Sequence, residues 1–145
     1  MKTIKFIIEE PTYQSRATFF IGHTFKQFSA IVEKYRHADE KPIDKDLRDV
    51  NGLAVTMRNK DDLVCHIVWL KFFNWTIPQL GILAHEIAHT AFAVLHHKNV
   101  PIRIENDETF CYLFEHYYKG ALRKLSKTHK EKKEKKNGKQ TRKLG

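Results

Sequence analysis

At 145 residues, 41% hydrophobic and 30% charged, the chain can bury one respectable core and hardly two, so a single domain is expected. Its two cysteines, Cys65 and Cys111, are far apart and form no CxxC, which excludes a disulfide framework and a cysteine zinc site. The net charge of +9 is concentrated: Ser126–Gly145 carries nine Lys or Arg against Glu131 and Glu134, which is +7 of that total.

The first residues, Met1-Lys2-Thr3-Ile4-Lys5-Phe6-Ile7-Ile8, run into Glu9-Glu10-Pro11 without the basic-then-apolar pattern of a secretion signal, and no apolar run reaches membrane-spanning length. The expectation is a cytoplasmic protein, with Asn74-Trp75-Thr76 a helix cap rather than a glycosylation site. Lys2–Ile8 and Arg16–Ile21 are β-branched and aromatic runs that predict strands. Phe25, Phe28, Val32 and Tyr35 recur at helical spacing, so Thr24–Tyr35 is an amphipathic helix opened by a Thr24/Gln27 capping box. Ala38–Val50 is charged, contains Pro42 and is a loop with one helical turn at Asp44–Asp49. Leu53–Met57 and Leu63–Leu70 form a hairpin around Arg58–Asp62, and the second strand is apolar on both faces except at His66, which predicts burial from both sides.

Thr76 as N-cap, an early helical Pro78 and the apolar-periodic run to Ala84 lead into His85-Glu86-Ile87-Ala88-His89. Residues four apart lie about 40° apart on a helix, so the two imidazoles converge on one point while Glu86 sits at the edge of that face. Imidazole nitrogens suit Zn²⁺, and a carboxylate beside the ion serves as the base that takes a proton from water. A third ligand has two candidates, Glu105 and Glu108. If Asn106 or Asp107 caps a second helix, Glu108 lies in its first turn and Tyr112 one turn later; this favours Glu108, against the alternative of a first-turn acid complementing the helix dipole. Tyr112 either orients His85, contacts a substrate oxyanion or is simply half-buried. His96 and His97 suit the end of the first of these helices.

The HExxH pentapeptide, eighteen intervening residues and Glu108 resemble the gluzincin pattern of zinc metallopeptidases. The short Asn-Asp-Glu followed by Tyr112, on so small a chain, also resembles the minimal zinc peptidases often encoded by bacteriophages and prophages. Over Thr76 to Tyr118 the resemblance implies an α+β, zincin-like fold: a small mixed β-sheet packed on a metal-bearing helix, with a second helix supplying the third ligand. It further implies His85, His89 and Glu108 as zinc ligands, Glu86 as the base, a peptide or protein substrate, and a phage protein acting in the host cytoplasm; backbone pairing to an exposed edge makes the hairpin the candidate substrate platform, the alternative being that both strands are simply core sheet. Two departures stand out: the Gly and third His of the metzincin pattern are absent, and the oxyanion-stabilising His or Tyr of larger gluzincins has no clear counterpart.

Residues 1–125 thus form one zincin-like domain, and 126–145 a basic tail, either disordered or a frayed extension of the second helix. The tail suits nucleic acid, an acidic protein or anionic lipid through salt-sensitive attraction, without aromatics for reading bases, the alternative being a tail that only solubilises the chain.

Overall fold

The computed structural model describes residues 3–141. Two antiparallel hairpins supply the sheet. The first pairs β1 (Ile4–Glu10) with β2 (Ser15–Ile21), and the second pairs β3 (Gly52–Arg58) with β4 (Val64–Leu70). The hairpins join through parallel β2 and β4, giving the order β1-β2-β4-β3 with β1 and β3 at the edges. Three helices complete the fold: α1 (Phe25–Tyr35), α2 (Ile77–His97) and α3 (Asp107–Thr141). The architecture is therefore α+β, with a four-stranded mixed sheet. No helix among the described residues is long and apolar enough to cross a membrane.

Strand alternation divides the sheet's side chains between two cores. On one face Phe20, Met57, Ile67 and Trp69 pack with Phe28 and Val32 of α1; the Trp69 ring stacks on Phe28 at 5.5 Å, and its indole N–H donates to the His23 carbonyl at 3.0 Å. On the other face Ile8, Ala17, Phe19, Ile21, Val68 and Leu70 meet α2 through Leu83, Ile87, Ala91, Val94 and Leu95, and α3 through Leu113, Tyr117, Ala121 and Leu125. β4 is covered from both sides, as its apolar run requires.

Local chemistry sets the element ends. The Thr24 side chain accepts from the Gln27 amide while the Gln27 side chain accepts from the Thr24 amide, completing the expected capping box. A short 3-10 helix at Lys45–Asp49 is capped by Asp44, whose carboxylate accepts from the Asp46 amide. β1 reaches two residues further than its apolar run, to Glu10, because that buried carboxylate (1% exposed) accepts from the Thr12 and Tyr13 amides at 2.8 and 2.7 Å and so organises the turn. Burial opposes this charge, but the two amides and the hydroxyls of Tyr112 and Thr12 outweigh it and hold the carboxyl below its usual range. α3 is helical across residue 126 and on to Thr141; residues 142–145 of the expected tail lie outside the described residues.

The α2-facing side of the sheet becomes polar toward one end. Thr56, His66 and Ala17 stand in adjacent register there, and Ser15 lies beside Glu10. His66 is 4% exposed, its Nδ1 lies 2.9 Å from Thr56 Oγ1, and burial, reinforced by His97 and Lys98, holds the imidazole at about 4. An unfolded imidazole protonates near 6.5, so between about pH 6.5 and 4 the unfolded state binds the extra proton and stability falls as pH falls. Urea denaturation should show wild type losing about 3 kcal/mol more than His66→Gln across that window. Parallel pH profiles would contradict the neutral buried imidazole.

Candidate functional site

Helix α2 carries two stripes. Leu83, Ile87, Ala91, Val94 and Leu95 face the core, while His85, His89 and Phe92 are exposed on the other side. Thr76 occupies the N-cap position and Pro78 lies in the first two helical positions, where its missing N–H costs no hydrogen bond. The helix therefore begins two turns before His85 and holds the HExxH residues in regular geometry. His85 Nε2 and His89 Nε2 face each other at 3.0 Å, with the rings nearly perpendicular at 83°.

Glu86 stands at the boundary between the stripes and is only 7% exposed. Its carboxyl lies over the edge strand β3, close to Gly52 and under the influence of the Ala54 backbone. Burial pushes its pKa up; the neighbouring histidines and the Ala54 backbone pull it back only in part. A buried carboxyl raised toward neutrality, beside two convergent imidazoles, has the electrostatics expected of a proton acceptor.

The sheet approaches Glu86 closely because residue 52 lacks a side chain. A Cβ built on Gly52 would come within 2.7 Å of Ile82 Cγ2 and 3.0 Å of both Glu86 Cγ and Oε1. Sequence reading had no way to single out Gly52, since a glycine at a strand start is equally consistent with a turn. Gly81, on the exposed side of α2 one turn before His85, is the opposite case, with nothing within 4 Å of its would-be Cβ.

The other expected site residues lie on or near α3. A short 3-10 turn, Ile104–Asn106, leads into α3, so Glu105 precedes the helix and Glu108 is in its first turn. Phe92 and Phe110 bring that turn against α2, their ring centroids 4.4 Å apart. Among the described residues, however, no cluster of three His, Cys, Asp or Glu side chains converges as a metal site, so neither Glu108 nor Glu105 joins His85 and His89 in this arrangement. The Tyr112 hydroxyl turns toward the β1–β2 hairpin, donating to Glu10 Oε1 at 3.0 Å and lying 3.0 Å from Thr12 Oγ1. Two neighbouring contacts reinforce it: the His116 ring nitrogen sits 2.8 Å from the Glu9 carbonyl, and the buried Tyr117 hydroxyl 2.8 Å from Ser15 Oγ.

The two imidazoles suit one zinc ion. Nitrogens 3.0 Å apart can each lie about 2.0–2.1 Å from a shared cation with little movement, and a neutral imidazole is the form that ligates.

The glycine geometry yields a paired prediction. Gly52→Ala should destabilise the fold by about 1–3 kcal/mol, because its methyl must displace Ile82 and Glu86. Gly81→Ala should stabilise it by up to about 1 kcal/mol, since alanine is the better helix former and meets nothing there. Chemical denaturation of the two variants checks both signs, and a neutral Gly52→Ala would show that Glu86 does not need the close approach.

No protein-family model, curated protein or solved structure matches the chain, so its function has to be read from the chemistry of its own residues.

Proposed function

We propose that the chain is a zinc-dependent hydrolase, a gluzincin-like metallopeptidase in which His85 and His89 hold the ion, Glu108 completes its protein ligands and Glu86 is the general base. The observation that carries this reading is the facing of the two Nε2 atoms beside a buried carboxyl whose pKa is raised. A zinc ion held there supplies Lewis acidity toward a carbonyl and toward water. Glu86 accepts the proton of the attacking water and returns it to the leaving amine, its carboxyl lying against the start of β3 beside Gly52. The strand under Glu86 is an edge of the sheet, so β3 has backbone groups suited to pairing with an extended peptide. That role falls to β3, since β4 is interior.

Glu108 is the preferred third ligand because it belongs to a helical turn that packs beside α2 through Phe92 and Phe110, whereas Glu105 lies outside α3. Its approach requires the first turn of α3 to close toward His85 and His89. A second reading, a zincin-like binding module with weak or no hydrolysis, is favoured by one observation: Tyr112, the candidate oxyanion contact, is engaged by Glu10 and Thr12 instead.

Metal analysis and proteolysis assays separate these roles. Wild type should bind about one zinc per chain and His85→Ala should lose it, while Glu86→Gln should keep zinc and fold but lose hydrolysis of an unstructured protein by at least about a hundredfold. Equal zinc in wild type and His85→Ala would sink the metal assignment; zinc without hydrolysis in wild type would select the binding module. In a chelator competition titration, Glu108→Ala should weaken zinc affinity by at least about tenfold and Glu105→Ala should have little effect. The reverse order would transfer the ligand role to Glu105.

A further inference from the structure

Helix α3 outlasts the core that supports it. Its buried residues are Leu113, Tyr117, Ala121 and Leu125, and beyond Leu125 the sequence contains one further apolar residue, Leu144, while the helical backbone continues to Thr141. At about 1.5 Å per residue, the helix extends roughly 24 Å past Leu125. The sequence offers no apolar residue between 126 and 141, so the helical backbone there rests on its own hydrogen bonds and on the anchored half of the same helix.

Cations are arranged along one side of α3, before and after Leu125. At about 100° per residue, Lys119, Arg123, Lys127 and Lys130 fall within roughly 80° of one another around the axis, away from the core stripe. All four are exposed, and successive members are about 4.5–6 Å apart along the helix. Lys119 pairs with Glu115, but the stretch from Ser126 still carries +7. The same side of α3 borders a groove against edge strand β1, of about 640 Å³, where Arg123 and Lys124 face Ile7 and Glu9.

We propose that this basic face of α3 docks on the phosphate backbone of duplex nucleic acid, without regard to base sequence. Charge complementarity requires a polyanion, and a straight row of cations matches a regular array of phosphates. An anionic membrane is the poorer fit, because the helix beyond Leu125 has no apolar face to enter the interface. A single strand is also disfavoured, since no aromatic follows Tyr118 to stack a base. Docking is independent of the His85–His89 site and does not depend on metal.

Fluorescence anisotropy of the full chain with two labelled duplexes of unrelated sequence, from about 50 to 200 mM salt, tests the proposal. Both duplexes should bind within about twofold of each other, with log K falling linearly against log salt. The variant Arg123→Gln/Lys127→Gln/Lys130→Gln should lose at least about tenfold in affinity and reduce the slope by about two to three, with its circular dichroism unchanged. The charge-preserving variant Arg123→Lys/Lys127→Arg/Lys130→Arg should bind like wild type, which keeps the test decisive if the neutral variant unfolds. The proposal is overturned if wild type shows no salt-sensitive duplex binding, if the charge-preserving variant loses binding, or if a folded neutral variant binds undiminished. It is equally overturned if one duplex is preferred more than about tenfold, or if single strands or phosphatidylserine vesicles bind more tightly than either duplex.

Discussion

The burial of Glu86 against the sheet edge is the constraint around which the rest of the structure is arranged. A carboxylate taken out of water is costly, and the Ala54 backbone of β3 and the two neighbouring histidines offset only part of that cost. β3 lies at an edge of the sheet, so one of its sides has no partner strand among the described residues. The contact also needs Gly52, whose missing side chain leaves room for Glu86 and Ile82. The position of α2 over the sheet, the identity of residue 52 and the open edge are therefore one feature, and the exposed histidine pair inherits its orientation from it.

Helix α3 answers to two demands at opposite ends. Its anchored half is tied to the β1–β2 hairpin by Tyr112, His116 and Tyr117, reaching Glu10, the Glu9 carbonyl and Ser15. Its first turn meets α2 through Phe110 and Phe92, a contact that does not bring Glu108 into a cluster with the histidines. Glu10 links these demands, because the same carboxylate that accepts the two turn amides also accepts the Tyr112 hydroxyl. Any closure of the first turn toward His85 and His89 thus works against a hydrogen-bond network centred on a buried acid, which sets a free-energy cost on ordering a third ligand.

Much of the fold was legible because its signals are local. The Thr24/Gln27 box, Pro78 at the start of α2 and the doubly apolar β4 each report chemistry contained in a few neighbouring residues. Glu9 and Glu10 misled the placement of the β1 end, since their charge implies a loop until the turn amides that satisfy Glu10 are known. The HExxH spacing correctly implied that two imidazoles converge, because i and i+4 are neighbours on any α-helix. The same kind of argument could not reach Glu108 or Tyr112. Spacing fixes where a residue sits along its own helix, but the rotation of that helix against a partner depends on packing such as Phe92 on Phe110 and on contacts a hundred residues distant, such as Tyr112 on Glu10.

Burial under α2 acts on opposite kinds of ionisable group with one result. It raises the Glu86 carboxyl and lowers the His66 imidazole, so each is driven toward its neutral form at the same helix–sheet interface. The surroundings then separate them. His66 lies toward the end of α2 where His97 and Lys98 are found, and their electrostatic influence deepens its neutrality. Glu86 lies beside the exposed His85 and His89, whose influence runs the other way and favours its carboxylate. A divalent cation held by those histidines would add to that influence, so under the proposed assignment metal binding and Glu86 ionisation are thermodynamically linked: occupation of the histidine pair stabilises the base in its working form, and the charged base strengthens the site's hold on the ion.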